Sequence, residues 1–286
     1  MVSSMKLSLT IDFTMSRPNF SSKLHGEDPV LKEAHLHFFP FEEGEANSCI
    51  LIIPGGGYGG VSHREWETVA AWINSMGMSA VVLEYTVGRK IYPKPQIQGL
   101  YALRLLRKKS KEFNIDPKRI GIIGFSAGGH LSACLSTGFD RPDWLVDPDG
   151  ELEGVSARPD LAILSYPVIT SGEFAHRGSF TNLLGEEASE DERKTMSLEH
   201  AVGENTPPTF LWHTAEDVVV PVENAYLYAM ALNAKGVEHE LHVFPAGIHG
   251  LSICRSPGKY WAQPARQWMP LAEAWLGARG FWNEPS

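Results

Sequence analysis

A serine turn flanked by glycines constrains the fold of this chain more than any other feature. Residues 124–128 read Gly-Phe-Ser-Ala-Gly, after an apolar run at 119–123 that predicts a buried strand and before a predicted helix at 127–137. A sharp strand-to-helix turn strains the serine backbone and leaves space only for tiny neighbours, which the glycines provide. The pattern predicts Ser126 as the nucleophile, and its alternative is a glycine-rich turn with an idle serine.

Short apolar runs alternate with helical segments along the rest of the chain. We predict strands at 33–39, 49–53, 79–84, 119–123, 160–165, 209–213 and 239–244. We predict helices at 64–76, 97–113, 127–137, 222–235 and 265–279. This order predicts an α/β fold, with a mostly parallel central sheet and helices on both faces.

The length of 286 residues fits one α/β domain over 1–286. Residues 166–206 fit the strand–helix scheme poorly, because their helical signals are mixed and weak. They follow a strand on the side of the sheet where α/β proteins keep their ligand sites. We therefore expect 166–206 to be a small cap or lid insertion over the site.

A second glycine-rich loop, Pro54 to Gly60, follows the first buried strand. Acyl transfer on this kind of scaffold needs backbone N–H groups from such a loop and from the residue after the nucleophile. Gly56, Gly57 and Ala127 are the predicted oxyanion donors. A phosphate-binding loop is the weaker alternative, because the glycine spacing fits neither G-x-x-x-x-G-K-[ST] nor G-x-G-x-x-G.

A serine hydroxyl becomes nucleophilic when a neutral imidazole takes its proton. The fold orders its catalytic residues Ser, then Asp or Glu, then His, and His249 lies in a loop directly after the last predicted strand. Asp217 follows strand 209–213 and is the predicted partner that orients His249, with its neighbour Glu216 as the rival.

Four motifs together resemble the acetyl-esterase, acetylxylan-esterase and feruloyl-esterase-like α/β-hydrolases, a group related to the hormone-sensitive-lipase type. The motifs are residues 53–58 (IPGGGY), 124–130 (GFSAGGH), 212–221 (WHTAEDVVVP) and 244–250 (FPAGIHG). The resemblance spans roughly residues 30 to 280 and includes 182–185 and 207–208. It implies an α/β-hydrolase fold and hydrolysis of acylated sugars or xylan fragments, without a metal or an organic cofactor.

One departure from the related lipase type concerns the start of the oxyanion loop. That loop usually begins His-Gly-Gly-Gly, whereas Pro54 stands here in place of the histidine, which favours the sugar-esterase branch. The resemblance also suggests two substrate-binding residues. Tyr58 either lines the acyl or alcohol pocket or packs as an ordinary tyrosine, and Arg64 either contacts substrate or pairs with a carboxylate.

The overall charge limits the classes of partner. A net charge of −9 argues against nucleic acid and anionic membrane surfaces, and no stretch of 18 apolar residues is present. The first nine residues do not resemble a secretion signal, so we expect a cytoplasmic protein; a mature secreted form with its signal removed stays open. The three cysteines form no C-x-x-C pair, which disfavours a metal or redox site.

These observations predict a serine carboxylesterase that removes small acyl groups, acetyl first, from acylated sugars or xylo-oligosaccharides. A serine peptidase of the same fold is the enzymatic rival, and we expect it to need a large N-terminal domain. A non-catalytic binding protein on a hydrolase scaffold is the rival from another class. A homo-oligomer stays open, with the early strand or the C-terminal tryptophans as its interface; the alternative is that Trp261, Trp268, Trp275 and Trp282 cover the chain's own core.

Overall fold

One eight-stranded sheet organises the computed structural model, which describes residues 20–43, 46–254 and 264–282. The strands lie in the order β1-β2-β4-β3-β5-β6-β7-β8. They are β1 (Phe20–Lys23), β2 (His35–Phe39), β3 (Asn47–Ile53), β4 (Ser79–Glu84), β5 (Ile115–Phe125), β6 (Ala162–Ser165), β7 (Thr209–Thr214) and β8 (His239–Phe244). The pairings from β4 to β8 are all parallel, whereas β1 and β2 add antiparallel pairs at one edge.

Helices cover both faces of this sheet. They are α1 (Glu67–Ser75), α2 (Lys94–Lys108), α3 (Ala127–Thr137), α4 (Arg177–Leu184), α5 (Glu190–Lys194), α6 (Glu223–Ala234) and α7 (Trp268–Ala278). Along β3, Cys49, Leu51 and Ile53 join a core with α2, α3 and α6, whereas Ile50 and Ile52 join a second core with α1 and α7. Successive strand residues point to opposite faces, so an unbroken apolar run is what a doubly covered strand requires.

The predicted α/β-hydrolase architecture is therefore confirmed. The sequence missed β1, because Phe20–Lys23 is short and mostly polar and is an edge strand that pairs only with β2. Trp268 and Trp275 are buried in the second core, and Trp282 packs against it. Trp261 lies outside the described residues.

The segment 166–206 carries α4, α5 and a 3-10 turn at Leu198–His200. Its contacts reach the loops after β3 and β4. The Asn182 amide donates to the Gly57 carbonyl at 2.9 Å, and the Asn182 and Leu183 carbonyls accept the N–H groups of Lys90 and Tyr92. These bonds hold the segment against the carboxyl edge of the sheet.

No helix in the described part of the chain is long and apolar enough to cross a membrane.

Two buried histidines predict a loss of stability in acid. Burial holds the pKa of His130, on α3, and of His213, on β7, at about 4, below the ordinary value of 6.5. Between pH 6.5 and 4, these two imidazoles are therefore protonated in the unfolded chain but neutral in the folded chain. We expect the free energy of unfolding to fall as pH drops through this window, by on the order of 3 kcal/mol for His130 alone.

Urea denaturation at a series of pH values measures this effect. The slope of unfolding free energy against pH should become shallower in His130→Gln, because that variant has no imidazole to protonate. Replacement of exposed His200 by Gln is the matched control and should leave the slope unchanged. Equal slopes in His130→Gln and the wild type would contradict the assignment.

Candidate active site

Ser126 sits at the turn between β5 and α3. Its φ of 55° and ψ of −118° lie in a strained region that non-glycine residues rarely adopt. A β-carbon on Gly124 would collide with the Gly128 carbonyl, and one on Gly128 would collide with the carbonyls of Ile53 and Pro54. Only glycines at these positions let α3 start this close to the sheet, which explains their place beside the serine.

A chain of two hydrogen bonds joins Ser126 to two loops beyond it in sequence. The Ser126 Oγ lies 2.7 Å from His249 Nε2, and His249 Nδ1 lies 2.7 Å from Asp217 Oδ2. Because β3, β5, β7 and β8 run parallel, the loops after them meet at one edge of the sheet. This geometry brings together the three side chains that the sequence predicted as nucleophile, base and acid.

The Asp217 carboxylate is held in place by its own loop. Its Oδ1 accepts the N–H groups of Val219 and Val220, each at 3.0 Å, while its side chain is fully buried. Burial alone would raise the pKa of Asp217. The hydrogen bond from His249, the charge of His249 and the hydrogen bond from the Val220 N–H outweigh burial, so the pKa of Asp217 is lowered overall. Glu216 turns elsewhere and accepts the Gly247 N–H at 3.2 Å, so it does not meet the imidazole.

The glycine loop after β3 lies beside the serine. Gly56 and Gly57 have φ values of 128° and 63° and line the same cavity as Ser126 and His249. Within the described ranges, no group accepts a hydrogen bond from the N–H of Gly56, Gly57 or Ala127. Three predicted donors are thus left without an internal partner next to the serine, as an oxyanion site requires.

Tyr58 does not belong to this cavity, which corrects the prediction that it lines the substrate pocket. The residue is fully buried in the core on the α2–α3 side of the sheet, and its Oη lies 2.8 Å from His130 Nδ1. Its φ of 60° follows the positive φ of Gly57, so the loop turns the ring inwards. The alternative of an ordinary packed tyrosine describes it correctly.

The cavity around the serine has a volume of about 400 Å³. Its lining residues come from the loops after five strands and are Gly56, Gly57, Ser62, Arg64, Glu65, Ser126, His176, Val219, His249 and Gly250. Arg64 is exposed at its rim, and a β-carbon on Gly250 would lie 3.5 Å from its Nη2. The ion pairs within the described ranges do not include Arg64, which leaves its guanidinium for the cavity.

Sequence reasoning did not predict the two further titratable side chains of the cavity, His176 and Glu65. His176 precedes α4 and lies 2.8 Å from Ser179 Oγ through its Nδ1. Burial and the nearby His249 charge lower the pKa of His176. The weak helical signal of the segment offered no reason to choose this histidine among eleven. Glu65 was not predicted either, because its hydrogen-bond partner Tyr166 lies 101 residues away in sequence.

No group of three or more potential metal ligands occurs among the residues that the structure describes. The arrangement is instead that of a serine, an imidazole and a carboxylate in sequence, beside free backbone donors. Together with the sheet order and the strained serine turn, it defines the chain as an α/β-hydrolase with a Ser–His–Asp arrangement at the carboxyl edge of its sheet.

The family is identified by comparison with known proteins. The BD-FAE family model matches residues 37–232, and the chain belongs to that family. The resemblance predicted from the four motifs is confirmed. The chain is 42% identical over 224 residues to endo-1,4-beta-xylanase B of Butyrivibrio fibrisolvens, covering 77% of this chain and 34% of the relative. It is 33% identical over 219 residues to an acetylxylan esterase of Xylanibacter ruminicola, covering 74% and 42%.

A solved structure shares the whole architecture. The acetyl ester-xyloside bifunctional hydrolase from Caldicellulosiruptor lactoaceticus superposes with a TM-score of 0.81 at 42% identity, covering 95% of each chain. A carboxylesterase from Lactobacillus plantarum superposes with a TM-score of 0.73 at 26% identity, covering 88% of this chain and 94% of that one. By contrast, the chain spans only about a third to two fifths of the length of the two curated relatives.

Proposed function

We propose that this chain is a carboxylic-ester hydrolase that removes small acyl groups, acetyl first, from acylated xylo-oligosaccharides or related sugars. The observation that carries the proposal is the continuous hydrogen-bonded chain from Ser126 through His249 to Asp217, with 2.7 Å at each step. The names of the relatives, an acetylxylan esterase and an acetyl ester-xyloside hydrolase, support the choice of acyl group and alcohol.

The reaction proceeds through an acyl-enzyme. Ser126 Oγ attacks the ester carbonyl carbon while His249 Nε2 takes the hydroxyl proton, and the carbonyl oxygen becomes an oxyanion. The N–H groups of Ala127 and of the Gly56–Gly57 turn bind that oxyanion. Collapse of the tetrahedral intermediate expels the sugar alkoxide, which receives the proton from His249. A water, deprotonated by His249, then attacks the acyl carbon and releases the carboxylic acid and free Ser126.

The alcohol side of the ester lies against the segment 166–206, which acts as a small cap. His176 hydrogen-bonds Ser179 through Nδ1, so its Nε2 is left for a sugar hydroxyl. Arg64, which is exposed and lines the same cavity, supplies further donors. A polar wall suits a sugar leaving group better than a long alkyl chain, because buried polar groups must find hydrogen-bond partners.

The substrate preference predicts a steep dependence on acyl length. We expect kcat/KM for p-nitrophenyl esters to fall from acetate through butyrate to octanoate. We also expect acetate to be released from acetylated xylo-oligosaccharides, measured by an enzyme-coupled acetate assay. Equal or higher activity on octanoate would contradict a small-acyl esterase.

Two controls separate the rival functions. A fluorophosphonate probe should label Ser126, as checked by mass spectrometry, whereas a non-catalytic scaffold would not react. N-acetyl-alanine p-nitroanilide should be cleaved far more slowly than the acetate ester, whereas a peptidase would reverse that order.

The proposal extends to the compartment and the assembly. A cytoplasmic site is supported by three free thiols, Cys49, Cys134 and Cys254, which are all buried, and burial raises the pKa of each to about 12. Such thiols are inert as nucleophiles. Cell fractionation tests the compartment, and sedimentation equilibrium tests whether the chain forms a homo-oligomer.

A further inference from the structure

Glu65 is a buried acidic side chain that the proposed mechanism does not use. The residue ends the 3-10 turn His63–Glu65 and is 3% exposed. One carboxylate oxygen accepts the Gly55 N–H at 2.7 Å, and the other accepts the Tyr166 hydroxyl at 2.6 Å. A charged group this deep is costly unless its partners repay the lost hydration, so its retention beside the serine calls for a role.

The directions of these hydrogen bonds define the protonation state of Glu65. The Gly55 N–H can only donate. The Tyr166 oxygen accepts the Ser252 N–H at 2.9 Å, and its own proton has no acceptor other than Glu65 among the described residues. Both carboxylate oxygens therefore act as acceptors, which is the pattern of an ionised group. Burial raises the pKa of Glu65 overall, although the hydrogen bonds from Tyr166, Gly55 and Ser62 and the charge of His249 oppose that rise.

This carboxylate joins the two loops that must keep their relative positions during the reaction. Gly55 begins the glycine loop whose next two residues carry the oxyanion donors. Ser252 lies three residues after His249, and its Oγ donates to the Arg64 carbonyl at 2.8 Å. The Tyr166 ring also packs edge-on against the His249 ring, with centroids 5.1 Å apart. The path from Gly55 through Glu65 and Tyr166 therefore ends at the loop of the base.

We propose that Glu65 is a positioning residue, which aligns the oxyanion loop with the imidazole through Gly55 on one side and Tyr166 on the other. The inference rests on the proposed function. Small displacements of reacting groups cost large factors in rate, so the network acts on kcat rather than on substrate affinity. Glu65 interacts electrostatically with His249. The other titratable groups that interact with His249 in this way are Asp217, His213 and His176.

The test compares Glu65→Gln and Tyr166→Phe with the wild type on p-nitrophenyl acetate. Glutamine keeps the size of the side chain, but its amide N–H group must face either the Gly55 N–H or the Tyr166 hydroxyl, which are both donors. That hydrogen bond is lost, and one arm of the network breaks. Phenylalanine keeps the Glu65–Gly55 arm and removes the arm to Ser252. We expect kcat to fall by roughly 10- to 100-fold in Glu65→Gln and by less in Tyr166→Phe, with KM unchanged in both.

Tyr228→Phe is the matched control, because its buried hydroxyl has no hydrogen-bond partner in the described part of the chain and lies on α6. Its kcat should equal that of the wild type. Thermal unfolding of each variant shows whether a lower kcat comes from loss of the fold or from loss of alignment in a folded protein. If Glu65→Gln does not fold, the kcat of Tyr166→Phe by itself tests the proposal. A wild-type kcat in the folded variants, or a rise in KM that accounts for the whole loss, would overturn the proposal.

A second readout keeps this inference separate from the proposed function. The rate at which a fluorophosphonate labels Ser126 depends on the same oxyanion donors and imidazole but on no particular ester. If the wild type hydrolyses none of the esters, the proposed function fails, and the labelling rates still decide: slower labelling in Glu65→Gln supports the positioning role, and equal labelling overturns it.

Discussion

Replacing Ser126 by alanine should abolish ester hydrolysis, with kcat falling by about 10⁶-fold. The loss is this large because no acyl-enzyme forms without the Oγ, and the oxyanion donors alone retain only a small part of the acceleration. The fold should survive, because the hydrogen bond lost with the Ser126 Oγ is the one to His249, whose side chain lines the cavity and does not belong to the core. Steady-state hydrolysis of p-nitrophenyl acetate and the thermal unfolding midpoint measure the two effects.

Ser136→Ala is the matched control for this variant. Ser136 lies on the same helix, α3, where its Oγ donates to the Ser132 carbonyl at 2.8 Å. It is buried away from the cavity, so its loss should change stability slightly and leave kcat unaltered. Undiminished hydrolysis by Ser126→Ala would reject Ser126 as the nucleophile, and covalent labelling would then show which residue reacts.

Asp217→Asn should lower kcat by about 10⁴-fold, the second-largest effect that we expect. Asparagine has the same shape, and its carbonyl oxygen can still accept the N–H groups of Val219 and Val220. Its amide nitrogen would then face His249 Nδ1 as a donor, which favours the wrong imidazole tautomer. The proton would sit on Nε2, and the base could no longer take one from Ser126.

Glu216→Gln separates this effect from a general loss of negative charge in the same loop. It removes the same charge one residue away, where the carboxylate contacts the Gly247 N–H rather than the imidazole. We expect its kcat to stay close to that of the wild type. A larger loss in Glu216→Gln than in Asp217→Asn would transfer the role of the acid to Glu216.

The elements with the strongest local patterns were predicted closely. The strands at 79–84 and 239–244 and the helix at 127–137 have the same bounds in sequence and structure. The boundaries of α2 differ from the prediction at both ends. Helix α2 starts at Lys94 instead of 97, because Pro95 suits a first helical turn and packs into the core, and it ends at Lys108 instead of 113.

Ser126, His249 and Asp217 could be chosen from the sequence as the candidate nucleophile, base and acid, because each belongs to a loop directly after a strand. Chain order and strand ends alone select Ser126, Asp217 and His249 from many candidates, since parallel strands deliver such loops to one edge. Tyr58 shows the limit of this reasoning. Its neighbours in sequence placed it at the cavity, yet a positive φ turns its ring into the core against His130.

The parallel α/β fold and the strained serine turn could be predicted without the structure, because local hydrophobic periodicity and glycine placement encode both. The order of Ser126, Asp217 and His249 along the chain is itself a property of the sequence. Which side chains surround the serine depends instead on contacts between distant parts of the chain. Glu65 and Tyr166 lie 101 residues apart, and Gly57 and Asn182 lie 125 apart, yet each pair shares a hydrogen bond. Such contacts depend on how the loops fold back over the sheet, and no local pattern of residues encodes that path.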